Sequence, residues 1–351
     1  MAIRVIQWAT GGVGRAAVAG VIAHPDLELV GCWVHNADKV GGDVGELCGV
    51  GPLGIEATDD IDELLGLDAD CVIYSPFMAD PRVVRRILTS GTNVVTPLNW
   101  FYPGGRDESR IEAACAEGGA SIHGTGIHPG GITERFPLMV SALSQSITHV
   151  RAEEYSDIRS YGAPGVVGDI MLFGKTPEEA ASSMMPGILG DGFGQSIAMV
   201  GHALGFALDA ELVVSHEVAL ATAPIDSPIG PIQPGRIAAQ KFCWEATVRG
   251  EPVITVRTNW FMGQEYLDPA WTFGPEGERF EVEVVGDPSS LVTFRGWHPA
   301  SVGAGLVRNP GVVATATHCV SAVPVVVAAE PGIKSYLDLP PYSGRAAPRL
   351  R

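Results

Sequence analysis

No excess of positive charge, no paired-cysteine motif and no uninterrupted apolar run of bilayer length mark this 351-residue chain. It carries 23 Lys+Arg against 40 Asp+Glu, a formal net charge of -17, whereas binding a phosphate backbone needs a basic face. Nucleic-acid and anionic-membrane partners are therefore disfavoured. The six cysteines (Cys32, Cys48, Cys71, Cys115, Cys243, Cys319) contain no CxxC pair. Neither a zinc site nor a disulfide framework is expected, and buried thiols in a reducing compartment are. Met1 runs directly into a strand-like segment instead of a basic stretch and an apolar core, so no signal peptide is expected and the expected compartment is the cytoplasm. Apolar runs break before bilayer length, so no membrane span is expected. A Walker lysine, a GxSxG elbow and an HExxH pair are all lacking. Metal catalysis has no positive signal, and no internal repeat is present.

What remains is a chain that is 46% hydrophobic and only 18% charged, long enough for two domains and a sizeable core. Its first 125 residues alternate strand and helix signals. "IRVIQWA", "LELVGCWVH", "DCVIYSP", "NVVTP" and "SIHGTG" read as strands, and Gly14–His24, "PRVVRRILTS" and "ESRIEAACAEGG" read as helices. That alternation predicts βαβ units, a parallel sheet and a doubly wound α/β layer of the Rossmann type. Near residue 148 the character changes. "HVRAEEYSD", "FCWEATVRG", "PVITVRTNWF", "RFEVEVVGD" and "LVTFRGW" are longer strands, several alternating polar and apolar, as in a sheet with one covered face. Residues 165–240 read as a helical region punctuated by Gly and Pro, and "THCVSAVPVVVAAE" as a late helix. The Pro/Arg-rich tail from Pro340 reads as loosely ordered. The expected domains are 1–147 (Rossmann), 148–300 (an α+β substrate and dimerisation domain on an open mixed sheet) and 301–351 (a C-terminal segment).

The most informative stretch is Val5–Ala17, "VIQWATGGVGRAA". A dinucleotide fingerprint uses three glycines for a tight turn, for approach to the pyrophosphate and for helix–strand packing. Here alanine holds the first slot, giving Ala9-x-Gly11-x-x-Gly14. Thr10, Gly11, Gly12 and Val13 would offer backbone N–H groups to phosphate at a helix N-terminus. The turn follows a strand, precedes a helix and opens a βαβ pattern, which is the context the motif requires. At the end of the second strand an NAD enzyme usually places Asp or Glu on the ribose. This chain has Trp33-Val34-His35-Asn36, then Asp38 and Lys39. His35 and Lys39 suit a 2′-phosphate, so NADP(H) is favoured and NAD(H) is possible.

Ligands in such sheets bind beyond the carboxyl ends of the strands. Three ends supply candidates: Ser75 after the fourth strand signal, Thr96 through Tyr102, and Gly124 through Gly130. Ser75, Thr96 and Gly126 are expected beside the cofactor. Asn99, Tyr102, His128 and Tyr161 are the candidate catalytic residues; the proton donor is Tyr102, His128, Tyr161 or a bound water. Asp157 and Asp169 share the Tyr161 segment. Trp260 and Phe261 read as core, His202 as a satisfied core histidine, and the pairs Asp59-Asp60 and Glu153-Glu154 as solvated faces. Apart from Arg135 the candidate loops lack arginine, which disfavours a dicarboxylate substrate.

Taken together, "RVIQWATGGVGRAAVAGVIAHPDLELVGCWVH", "DVGELCG", "NVVTP", "GTGIHPG" and "EVEVVGDP" resemble the dihydrodipicolinate reductase-like oxidoreductases, in the branch related to 2,4-diaminopentanoate dehydrogenase and the amine dehydrogenases. The resemblance implies a Rossmann domain rejoined by the last helix, a homodimer meeting through an open sheet, and NAD(P)H chemistry at a C–N or C–O centre. Two departures stand out. The His-His and Lys motif with its Ser-Gly-Thr turn, which binds the cyclic diacid in dihydrodipicolinate reductases proper, has no match in "YSDIRSYGAPGVVGDIMLFGK". The amine dehydrogenases carry a glutamate just after the segment matching Asn93–Thr96, where this chain reads "PLNWFYP". The expected activity is hydride transfer to a carbonyl or imine of a small to medium, largely uncharged molecule. An amine dehydrogenase with a carboxylate from elsewhere, such as Asp157, and a non-catalytic NADP-binding sensor or partner subunit are the alternatives.

Overall fold

The computed structural model describes residues 2–105, 107–274 and 277–351. They form two compact units, Met1–Gly130 with Val312–Arg351, and Gly131–Gly311. The divisions fall at Gly130 and Gly311, where the sequence suggested 147 and 300.

In the first unit, strands β1 (Ile3–Trp8), β2 (Leu27–Trp33), β3 (Ala57–Thr58), β4 (Cys71–Tyr74), β5 (Asn93–Thr96) and β6 (Ser121–Gly124) alternate with helices α1 (Gly12–Ala23), α2 (Val44–Cys48), α3 (Ile61–Leu65), α4 (Pro81–Thr89) and α5 (Glu108–Gly118). Every strand pairing in this sheet is parallel. β4, "CVIY", is buried along its whole length, as a central parallel strand covered on both faces must be. Local chemistry starts the helices. Asp80 accepts the Arg82 N–H and Pro81 occupies the first turn of α4, where a missing N–H costs nothing. Val84, Ile87 and Leu88 then recur on the face that α4 buries, each large side chain contributing about 1.5–3 kcal/mol by leaving water.

The second unit is built on a mixed sheet of β7 (Gln145–Asp157), β8 (Val213–Ala221), β9 (Ile237–Val248), β10 (Glu251–Phe261), β11 (Leu267–Asp268), β12 (Arg279–Asp287) and β13 (Ser290–Phe294). The order is β11-β8-β9-β10-β7-β12-β13, with β7 and β10 parallel and the remaining pairs antiparallel. Helices α6 (Phe136–Ser141), α7 (Pro177–Ala181), α8 (Met185–Leu204) and α9 (Val302–Val307) complete it. The 165–240 region is helical only in part, because "VVSHEVALA" is strand β8, which pairs with β9 along its length and with β11 at its end. The two faces of the sheet differ. Odd-numbered residues of β7 join a charged belt in which Arg151 meets Glu153, Glu281 and Glu283, and Glu153 meets Arg257. Even-numbered residues share their face with Phe242, Trp244 and Phe280. Gly190 of α8 brings that helix close to Trp244, since a Cβ there would lie 3.0 Å from the indole nitrogen.

The chain then returns to the first unit through α10 (Pro310–Val327) and β14 (Gly332–Lys334), which extends the first sheet to β14-β6-β5-β4-β1-β2-β3. Ala316, Cys319, Val320, Val323 and Val326 of α10 are buried in the first unit's core with Val18 and Val21 of α1. One stretch, 302–327, is apolar and long enough to cross a membrane by length and composition, contrary to expectation. The tail is also better anchored than its composition suggests: Tyr342 is buried, Arg345 pairs with Asp26 at 3.1 Å, and Arg351 donates to the Ala23 carbonyl.

Candidate active site

The turn between β1 and α1 has the geometry of a phosphate-binding loop. Ala9 sits at φ +75°, a left-handed conformation that glycine normally supplies. Gln7, fully buried, holds it there, its Nε2 donating to the carbonyls of Trp8 and Ala9 and to Ser75 Oγ at 2.9–3.0 Å. A Cβ on Gly14 would run into the Ala9 carbonyl, whereas one on Gly11 would meet nothing within 4 Å. Thus Gly14 closes helix on strand and Gly11 leaves an open approach. The N-terminus of α1 has no side-chain cap and no acidic residue in its first turn, so its N–H groups and dipole suit an anion. Lys39 Nζ donates to Thr10 Oγ1 at 3.1 Å, which brings an ammonium to this turn. His35 is exposed nearby in sequence. These residues fit the phosphates of a dinucleotide.

The other strand ends of the first unit behave differently from one another. Ser75 is tied to Gln7 and the Trp8 carbonyl, so it supports the turn. Thr96 is fully buried and its hydroxyl accepts the Leu98 N–H. Asn99 Oδ1 accepts the Trp100 N–H at 2.6 Å, serving its own turn where Trp100 has φ +60°. The segment Gly124–Gly130 packs tightly on itself and on 99–101: a Cβ on Gly124 would lie 2.6 Å from Phe101 N, and one on Gly130 would meet the Gly126 backbone at 2.5–2.6 Å. His128 is half-buried on that loop. Tyr102 is half-buried, and burial with the charge of Asp338 pushes its hydroxyl up. Behind the loop lies an array the sequence reading missed. His318 of α10 meets the Gly126 carbonyl at 2.6 Å; a carbonyl only accepts, so Nδ1 carries the hydrogen. Thr125 bonds the Tyr336 hydroxyl, and the Tyr336 and Tyr342 rings stack at 6.2 Å. Its residues are scattered from 125 to 342, which hides it from any local motif.

In the second unit Asp157 is committed to Arg159, with contacts of 2.5–3.1 Å to the guanidinium and a cap on the Arg159 N–H. It is not a spare catalytic carboxylate. Asp169 is exposed and pairs with Lys175 at 3.8 Å. Tyr161 has its hydroxyl pushed up by burial and by the charge of Glu154. His202 is exposed, not core, whereas Trp260 and Phe261 are buried. Glu153 is 3% exposed and part of the ionic belt; the alternation of the strand, not the local pair of acids, decides its fate. Two further carboxyls escaped the sequence reading. Glu278 accepts the Asp157 N–H at 2.8 Å, and burial plus the charges of Asp157 and Glu154 push it up to about 7. Glu134, in a π-helical turn Gly131–Arg135, is fully buried, accepts Ser196 Oγ at 2.5 Å and is raised well above the carboxylate range by desolvation. Such turns and such shifts recur at functional sites. Among the described residues no cluster of His, Cys, Asp and Glu could hold a metal ion.

Comparison with known proteins decides the family. Residues 4–95 match the dihydrodipicolinate reductase N-terminal family, and residues 132–262 match the 2,4-diaminopentanoate dehydrogenase C-terminal domain. An amine dehydrogenase of Streptomyces virginiae is 33% identical over 98% of both chains. This chain belongs to the amine dehydrogenase branch of the dihydrodipicolinate reductase-like oxidoreductases. The 2,4-diaminopentanoate dehydrogenase of Acetoanaerobium sticklandii is 25% identical over 73% of this chain and 69% of its own. The structure of an amine dehydrogenase from Mycobacterium smegmatis shares the fold, with a TM-score of 0.79 at 21% identity over 98% of this chain and 97% of that one. The chain is therefore an NAD(P)-dependent oxidoreductase.

Proposed function

We propose that this enzyme uses NADP(H) in preference to NAD(H) and transfers hydride at the carbonyl or imine carbon of a small to medium, largely uncharged substrate. The bound nicotinamide supplies the hydride. The glycine turn would hold the pyrophosphate, Lys39 and His35 the 2′-phosphate, and the loop Gly124–Gly130 would lie against the ring. The observation that carries the NADP reading is Lys39 Nζ at Thr10 with no carboxylate across Trp33–Asn36. Lys39→Ala should weaken NADPH far more than NADH in fluorescence titrations; equal losses would sink the preference.

A C–N centre is favoured over a C–O centre by the named activity of the 33%-identical relative. Reductive amination of a ketone with ammonia is then the reaction to test, by following NADPH absorbance with and without ammonia. Consumption by ketones alone would instead place the enzyme among carbonyl reductases. We further propose a cytoplasmic homodimer that meets through the charged face of the second sheet, where Arg151 and Arg257 sit among Glu153, Glu281 and Glu283. Light scattering after gel filtration tests it, with a monomer mass as the contrary result.

A further inference from the structure

The aromatic face of the second sheet carries polar atoms whose hydrogen bonds are left open. Thr258 and Trp260 of β10 lie opposite Glu154 and Ser156 of β7 in the parallel register. Thr258 is fully buried and Trp260 is 5% exposed, yet Thr258 Oγ1 and Trp260 Nε1 have no hydrogen-bond partner among the described residues. A buried hydroxyl or indole N–H without a partner costs stability unless something else bonds it. Neighbouring aromatic rings frame the place: Phe242 meets Trp260 edge-on at 5.8 Å, and Phe280 stacks on His298 at 5.2 Å.

Hydrogen counting then fixes the chemistry. Ser156 Oγ donates to Glu154 Oε1 at 2.6 Å, which uses its one hydrogen. Ser156 therefore accepts in its 3.1 Å contact with His298 Nε2, and that nitrogen carries the hydrogen. Burial favours the neutral imidazole, so His298 Nδ1 is a bare acceptor, and it too has no partner among the described residues. The Glu154 carboxyl, a threonine hydroxyl and an indole N–H thus share one face of the sheet, and Ser156 on that face holds the imidazole whose lone pair is open. The Tyr161 hydroxyl and the Glu278 carboxyl feel the same Glu154 charge. The Glu154 carboxyl brings negative charge beside these open atoms, and aromatic rings surround them. That combination suits a group that brings several N–H donors and positive charge on a hydrocarbon body.

We propose that Glu154, Ser156, His298, Thr258 and Trp260 form a binding site for a primary amine or ammonium group. The assignment rests on the C–N reading above only in identifying that amine as the substrate's nitrogen.

The test uses the full chain with ¹⁵N-labelled histidine, the His298 resonances being assigned with His298→Asn. Butylammonium chloride, ammonium chloride and 1-butanol are titrated at constant ionic strength. Saturable movement of the His298 signals with butylammonium but not with 1-butanol is expected, and movement with ammonium as well would show that the nitrogen alone suffices. Glu154→Gln should weaken the amine by about tenfold or more. Thr258→Val should do so several-fold with an unchanged melting temperature, because that hydroxyl has no partner among the described residues to lose. This second variant carries the test if Glu154→Gln does not fold. Equal response to 1-butanol, no saturable response, or wild-type amine binding in the folded variants would overturn the proposal. NADPH titration and ketone turnover on the same samples report the functional reading separately: amine binding without turnover counts against that reading and supports this site.

Discussion

Gly14→Ala should do more damage than any other single methyl added to the cofactor turn. The new Cβ would stand 2.9 Å from the Ala9 carbonyl carbon and 3.0 Å from Gln7 Nε2, with the Ala9 oxygen nearer still. None of these atoms is a flexible side-chain end, because Gln7 is itself fixed by its bonds to Trp8, Ala9 and Ser75. Relief requires α1 to move off β1. Overpacking of that kind costs about 1–3 kcal/mol, and losing one or two of the Gln7 hydrogen bonds adds about 1 kcal/mol each. A destabilisation of ~3 kcal/mol is therefore expected, read by urea unfolding. The same shift breaks the aim of the N–H groups, so NADPH binding should fall by about a hundredfold, equivalent to ~2.7 kcal/mol. Gly11→Ala is the control. Its backbone has φ -71° and its Cβ meets nothing, so stability should stay within about 0.5 kcal/mol of the parent while NADPH binding weakens. Wild-type stability and affinity in Gly14→Ala would refute the assignment of this turn.

Other outcomes follow from the buried groups. The folded chain keeps a proton on Glu134 that the unfolded chain releases above about pH 4.3. The contribution of this group to stability is therefore greatest below that value and falls by at most ~1.4 kcal/mol per pH unit above it until the folded carboxyl ionises. Glu134→Gln removes the slope, so its urea midpoint should gain on the parent as the pH rises above about 4.3; parallel pH profiles would contradict this. His318→Ala deletes the donor to the Gly126 carbonyl, a loss of about 1–2 kcal/mol, and amide exchange at 126–130 should quicken; unchanged exchange would assign the loop's order to other contacts. Asp157→Asn should leave NADPH turnover within a few-fold, since Asp157 serves Arg159, and abolished turnover would restore it as a catalytic group.

Much of the fold was legible because its signals are local. The alternation of β-branched strands with capped helices such as Asp80–Pro81, and the Ala9–Gly14 turn, require no distant partner to be recognised. The legible part of the site ended there. β8 was missed because its hydrophobic pattern is set by pairing with β9. Glu153 looked like a surface acid because its cations, Arg151 and Arg257, sit on the same strand two residues away and on a neighbouring strand. The 131–135 segment hid a buried carboxyl, since nothing local reveals that Ser196, 62 residues on, will meet Glu134. His318 likewise reaches Gly126 through the packing of α10 in the first unit, and Tyr336 reaches Thr125 just after β14, which pairs with β6. Backbone patterns carry the architecture, and long-range pairing assembles the chemistry.

The most direct measurement is NADPH and NADH binding by fluorescence, followed on the same protein by NADPH consumption with a ketone panel, with and without ammonia. Tighter NADPH than NADH binding and consumption that depends on ammonia are expected. Equal affinities, or no consumption with any ketone or imine, would contradict the account.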